Sequence, residues 1–232
     1  MSWDPSFFRK STLFWPIAGA AAKLERFARW PEPEDLSCLF EGEAPVRFAL
    51  ASPRMRRGRR LGASERYDAL ITERRVVPTR RGSWHDVLNA LVWATFPRAK
   101  RALHARQHRA VTARLGLDLR LPGGRTRDQD AVAMLDEGGV VVFQGEGSPP
   151  SFVVFGHAIY ERLVCDGALS LWAAAVSPTT EVAPREAHAC IAAADATLEQ
   201  LFSSAADIDR SDLGSFHLQE RLHDGGLAGG RP

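Results

Sequence analysis

The sequence predicts an α+β fold, helix-dominated, with a small antiparallel sheet, and three observations carry that reading. Apolar residues recur at helical spacing through 84–95, 98–115 and 184–202. Two short runs, alternating at 46–50 and valine-rich at 139–143, are strand-sized. The chain is 45% hydrophobic and 25% charged over 232 residues, enough to bury a sizeable core. A single globular domain over 1–224 is expected, with a flexible tail at 225–232 where "GGLAGGRP" ends the chain.

Taken in order, the run Leu13–Ala22 follows Arg9 and Lys10 and superficially imitates a signal peptide, but Pro16 interrupts it. It is expected to pack in the core and lead into a helix through about Arg29. Pro31 and Pro33 break any helix there. Val46–Leu50 alternates as a strand does, and "PRMRRGRR", Pro53–Arg60, reads as an exposed loop. A helix is expected from about Glu65 to Arg74.

In "GSWHDVLNALVWATFPRAK", residues 82–100, Ser83 has N-cap chemistry and Asp86 completes a shortened capping box. Trp84, Leu88, Leu91, Val92 and Thr95 share one helical face, and Phe96-Pro97 marks the end of that helix. The next helix, 98–115, sets Leu103, Val111 and Leu115 against Arg98, Arg101, His108 and Arg109. Residues 121–130 form a loop. "AVAMLDEGGVVVF", 131–143, reads most simply as a hairpin turning at Glu137-Gly138-Gly139. A helix from Asp130 to Glu137 stopped by Gly138 is the competing reading. Ser151–Val164 looks helical, and Pro184–Phe202 is a helix with Pro in its first turn.

Three widely spaced cysteines, Cys38, Cys165 and Cys190, contain no C-x-x-C pair and suit a reducing cytoplasm. No stretch approaches the roughly 20 apolar residues of a membrane span, so no membrane partner is expected. The net charge of +2 conceals an asymmetry. From Arg54 to Arg125 there are 18 Lys or Arg against 5 Asp or Glu, or +13, and the remainder holds 12 against 23, or −11. Such a split marks either an anion-binding face or two parts of one fold that attract each other.

No phosphate-binding loop, H-E-x-x-H or G-x-S-x-G is present. However, "YDALITERRVVPTRRGSWHDVLNALVWATFPRAKRAL", then "DAVAMLDEGGVVVF", then "GHAIYERL", in that order, resemble the bacterial family catalogued as domain of unknown function 3025. The W-H-D-x-x-N-A-L-x-W-x-x-F-P core carries the resemblance, which spans roughly residues 3–175. It implies no particular activity. Ala133 stands where the similar segment carries a hydroxyl residue, and the chain after about Ser203 departs from the family's end.

Two functional readings follow. One is an enzyme, a metal-assisted hydrolase, whose site draws on His85, Asp86 and Asn89, on Asp130, Asp136 and Glu137, and on His157 and Glu161. His85, Asn89, Asp130, His157 and Glu161 are its catalytic candidates, and His157, Glu161 and His85 are candidate ligands of a divalent metal. Spacing i, i+4 puts His157 and Glu161 on one helix face, as it does His85 and Asn89. The other reading is a non-catalytic module binding an anionic partner, nucleic acid or a phosphorylated metabolite, through Arg54, Arg56, Arg57, Arg59, Arg60, Arg80 and Arg81. Against it, arginine outnumbers lysine 27 to 3 overall, a bias that fills arginine runs without any ligand.

Overall fold

The computed structural model describes residues 2–52, 66–115, 124–145, 148–178 and 184–222. Its helices are α1 (Ala18–Ala22), α2 (Tyr67–Arg74), α3 (Trp84–Thr95), α4 (Pro97–Arg114), α5 (Arg127–Gly138), α6 (His157–Asp166) and α7 (Ala187–Ser203). Its strands are β1 (Arg47–Leu50), β2 (Val76–Thr79), β3 (Gly139–Gly145), β4 (Ser148–Val154), β5 (Ala168–Val176) and β6 (Gly214–Arg221). Helix predominates, and the fold is α+β. No helix of the described residues is long and apolar enough to cross a membrane.

Helix α3 lies deepest. Every residue from Val87 to Trp93 is buried, so the apolar stripe expected at Trp84, Leu88, Leu91 and Val92 widens into a helix enclosed nearly all round. Its start is set by Ser83, whose Oγ accepts from the Asp86 amide at 3.3 Å. Asp86 does not complete a capping box. Its carboxylate takes the Arg80 guanidinium instead, at 2.8 Å, which pins the approach to the helix rather than its first amide. Phe96, the residue before Pro97, leaves helical geometry (φ −126°, ψ 58°), and α4 begins with that proline. Asp195, from α7, caps α4 from a distance by accepting from the Ala99 amide at 2.7 Å.

Several charged residues of α4 are paired rather than free. Arg106 is buried, where it clamps Asp128 of α5 and donates to the carbonyls of Ser204 (2.8 Å) and Ala206 (2.6 Å) beyond α7. Arg98 pairs with Glu199, and His108 lies 3.1 Å from Glu73.

Three expectations are corrected. Residues 131–143 are not a hairpin: Thr126 and Gln129 form a reciprocal capping box, α5 runs to Gly138, and only then does the Val140–Val142 run become β3. Ala131, Val132 and Leu135 bury one helical face, whereas Val140, Val141 and Val142 are buried on successive positions, as in a strand covered on both sides. Ser151–Val164 is not one helix, because β4 continues to Val154 and α6 starts only at His157. The N-terminal run does pack in the core, through Leu13, Phe14 and Ile17, but mostly as 3-10 turns, with α1 only five residues long.

The larger sheet is mixed, in the order β4-β3-β5-β6. β3 pairs antiparallel with β4 and parallel with β5, and α6 crosses between them; β5 and β6 are antiparallel. β1 and β2 form a separate parallel pair joined through α2. Cys38, Cys165 and Cys190 form no disulfide. Both sheets and the helices share one continuous apolar core, running from Phe7 to Leu218.

Ser83→Ala removes the only side-chain acceptor at the start of α3, so stability should fall by about 1 kcal/mol. An unchanged urea midpoint would show that the Arg80–Asp86 pair alone fixes this end.

Candidate metal centre

The local sequence brings three chain segments to one point. Gly139 accepts at its carbonyl from the amides of Phe155 (3.0 Å) and Gly156 (2.9 Å), so the β4–α6 junction lies directly on the α5–β3 junction. The approach is too close for any other residue at 156: a Cβ there would lie 2.5 Å from Glu137 O, Gly138 N and Gly139 N. This contact sets His157, the first residue of α6, beside Glu137 near the end of α5. His85, in the first turn of α3, reaches the same point because α3 packs on α6.

His85 Nε2 and His157 Nε2 face each other at 3.2 Å. The Glu137 carboxylate stands 3.5 Å from His157 Nε2, and one donor atom from each of the three residues falls within 4.8 Å of the others. Behind them, each imidazole is held through its other nitrogen. Asp136 O lies 2.8 Å from His157 Nδ1 and Glu161 Oε2 lies 2.8 Å from His85 Nδ1. A carbonyl and a carboxylate only accept, so both Nδ1 atoms carry hydrogens. His157 is 2% exposed, and burial, aided by the Lys100 ammonium, pushes its imidazole down to about 4 against the pull of Asp136. It is therefore neutral near pH 7, with a lone pair on Nε2. Burial and the neighbouring Asp136 push the Glu137 carboxyl up.

A buried polar network supports this pair. Lys100, with no exposed surface, donates to Asp136 Oδ1 at 2.5 Å and to Asn89 Oδ1 at 2.8 Å. Asn89 in turn reaches the Tyr67 hydroxyl at 3.4 Å. Burial, the largest single influence, would raise the Asp136 carboxyl, but Lys100 together with the neighbouring His157 and His104 outweighs it and holds the group well below the usual carboxylate range. A cavity of about 460 Å³ opens beside Glu137 and Asp136, walled by Tyr67, His104, Gln107 and Ala133 among others. His104 is oriented there by Asp68, 2.9 Å from its Nδ1.

Of the catalytic candidates, His85, His157 and Glu161 do converge, but Glu161 stands behind His85 rather than beside the paired Nε2 atoms. Glu137, read from sequence as turn chemistry or a spare carboxylate, supplies the third converging donor. Asn89 belongs to the Lys100 network one turn deeper. Asp130 is exposed in the first turn of α5, seven residues and about 10 Å along the helix from Glu137. Arg80 is engaged by Asp86 and Arg81 by Glu32. Arg54, Arg56, Arg57, Arg59 and Arg60 lie outside the described residues, as does the tail at 225–232. Lys100 was not singled out from sequence, although it is the only lysine between Arg54 and Arg125.

Lys100→Met should cost about 3–5 kcal/mol, because it leaves the Asp136 charge without its partner, and Lys100→Met with Asp136→Leu should regain much of it. Since the folded Asp136 carboxyl titrates below its unfolded value of ~3.9, the unfolded chain takes up the proton first as pH falls. The Asp136 contribution is thus present above that pH and lost below it, and acid unfolding of the double variant should lack this component. A single variant that unfolds at the parent's urea concentration would contradict the assignment. Gly156→Ala should cost about 1–3 kcal/mol through enforced separation of the two junctions. Parent-like melting would show that the junction gives way at no cost.

Neither the curated proteins nor the solved structures give a match to this chain. Residues 56–151, which include His85 and Glu137 but stop short of His157 and Glu161, match the model of the family described as "Protein of unknown function (DUF3025)".

Proposed function

We propose that the chain is a metal-dependent hydrolytic enzyme whose centre is formed by His85 Nε2, His157 Nε2 and the Glu137 carboxylate. The observation that carries this reading is the 3.2 Å approach of two imidazole Nε2 atoms whose Nδ1 atoms are both committed as donors. Two lone pairs at that distance repel, so a proton or a metal ion must lie between them. A proton shared by two nitrogens has no use for a carboxylate on the same side; a metal does. Two ligands at the 2.0–2.1 Å typical of zinc–nitrogen bonds in tetrahedral geometry are about 3.3 Å apart, close to the 3.2 and 3.5 Å found here.

Two imidazoles and one carboxylate are the donor set of a catalytic rather than a structural zinc site. A metal so held lowers the pKa of a bound water to about 7 and polarises a carbonyl or phosphoryl oxygen. Glu161 and the Asp136 carbonyl fix the tautomer and orientation of the two imidazoles, the usual duty of groups behind metal-bound histidines. The neutrality that burial imposes on His157 keeps its lone pair available at physiological pH. The unpaired thiols support a reducing compartment, the cytoplasm.

Purified protein should contain one divalent transition metal per chain by elemental analysis, and metal-free protein should melt at higher temperature when zinc is added. His85→Ala, His157→Ala and Glu137→Gln should each abolish the stoichiometric metal. Glu161→Gln should weaken binding by about 10–100-fold while retaining the site. Metal-free parent protein whose melting does not respond to zinc, cobalt or manganese would overturn the proposal and leave a proton between the two histidines.

A further inference from the structure

The cavity of about 460 Å³ beside Glu137 is a groove along α4 and α5, and its two ends differ in charge. The helices run antiparallel, since Lys100 meets Asp136 at one end and Arg114 meets Gln129 at the other. Gln129, Ala133 and Asp136 share a face of α5 by helical spacing, so the ends lie about 10 Å apart along its axis. Asp136, Glu137 and, through its contact with His104, Asp68 line the first end. Arg114 and Arg125, the latter just before the Thr126 cap of α5, line the second.

Several polar atoms on these walls are open. Gln129 is 5% exposed, and its Oε1 accepts from the Thr126 amide (3.0 Å) and from Arg114 Nη1 (2.8 Å). Those two bonds fix the amide, yet its Nε2 donates to none of the described residues. That nitrogen is not sealed, unlike Trp93 Nε1 or His104 Nε2, and in a residue this buried the surface it keeps belongs to the groove it lines. At the acidic end Asp68 and Asp136 each use one oxygen, Oδ1, for His104 (2.9 Å) and Lys100 (2.5 Å). Their Oδ2 atoms accept from none of the described residues and are not sealed either. Tyr67 Oη accepts from Asn89 at 3.4 Å and gives its own hydrogen to none of the described residues.

We infer that this groove binds a short peptide with free ends, its ammonium at Asp68 and Asp136 and its carboxylate at Arg125 and Gln129 Nε2. Acids alone would hold any cation and arginines any anion, whereas both at this spacing select a molecule oppositely charged at its two ends. An extended chain of about three residues spans about 10 Å, the distance between them. The Tyr67 hydroxyl supplies a donor for a peptide carbonyl near the ammonium, and Leu103, Val111 and Ala133 give apolar wall for small side chains. The volume lies within the range of small-molecule pockets. Because Glu137 lines the acidic end, such peptides are also the substrate class of the proposed metal centre, a link that rests on that reading. There one water splits the amide nearest the ammonium, its oxygen going to the new carboxyl group and a hydrogen to the released amine.

The probe is trialanine, titrated calorimetrically into the full chain kept in chelator, so that no hydrolysis competes and the result does not depend on bound metal. Trialanine should bind saturably, and N-acetyl-trialanine and trialanine amide should each bind at least tenfold more weakly. Asp68→Asn should weaken trialanine at least tenfold but leave the N-acetyl form within twofold, and Arg125→Ala should do the same with the amide in its place. Both changes spare the fold, since asparagine keeps an acceptor for His104 and Arg125 is exposed. Absence of saturable binding, or equal affinity for free and blocked peptides, would overturn the site. A variant that weakens free and blocked peptides alike would overturn the assignment of that end. Zinc is then returned. Release of alanine supports the link to the metal centre, whereas zinc uptake without cleavage overturns the link and leaves the groove site standing. A chain that takes up no zinc overturns the centre and the link together, with peptide affinity unchanged.

Discussion

The polar interior depends on one enclosed charge. Lys100 has no exposed surface, and an ammonium taken out of water must be paired and hydrogen-bonded or the fold loses several kcal/mol. It finds those partners on two other helices, Asn89 on α3 and Asp136 on α5. That requirement ties α3, α4 and α5 to one another at fixed distances. With Asp136 held by its carboxylate, its backbone carbonyl is aimed at His157 Nδ1, so the orientation of an imidazole on α6 follows from an ammonium on α4. An arginine could not substitute, since its planar fork needs room and several acceptors, whereas an ammonium acts as a compact point charge.

The same enclosure shapes the electrostatics of the histidine pair. Burial favours the neutral imidazole at His157 and the nearby Lys100 charge adds to that, while Asp136 opposes it and loses. The Glu137 carboxyl is raised by burial and by Asp136 beside it. Both would suit a cation placed between the three donors, which would draw the Glu137 carboxyl back down and needs the His157 imidazole neutral. Lys100 cannot be that cation, because Asp136 and Asn89 already hold it.

Much of this was legible in the sequence where a single element decides the outcome. The Ser83 cap and the break at Phe96-Pro97 both follow from the residues at the ends of one helix. What depended on contacts between elements was not. The segment before Gly138 carries both a helix start, Thr126 with Gln129, and a valine run, and the cap decides because it satisfies backbone groups that a strand edge would leave open. Glu161 stands four residues from His157, whereas Glu137 has no histidine near it in sequence. Only the Gly156 junction, invisible without the second backbone, puts Glu137 in front of the imidazoles and leaves Glu161 behind one. Lys100 did leave a signal, as the lone lysine in a stretch that otherwise uses arginine.

The polar groups of α3 differ in character according to where each lies on the helix. At its solvent-facing start the helix presents His85, whose side chain is about one-third exposed and can exchange partners. Deeper, it presents Asn89, which is satisfied by Lys100, and then Trp93, whose ring stacks flat on His104 at 5.4 Å and lies 5.8 Å from the Lys100 ammonium. The Trp93 ring is thus fixed by packing and by a cation near its face, and its N–H cannot turn to seek an acceptor within the core. That sealed donor contrasts with the histidine cluster, where every imidazole Nδ1 is already satisfied and only the facing Nε2 atoms are open. Burial thus fixes the polar groups deep on α3, and exchange of partners is confined to its solvent-facing first turn, where His85 is partly exposed.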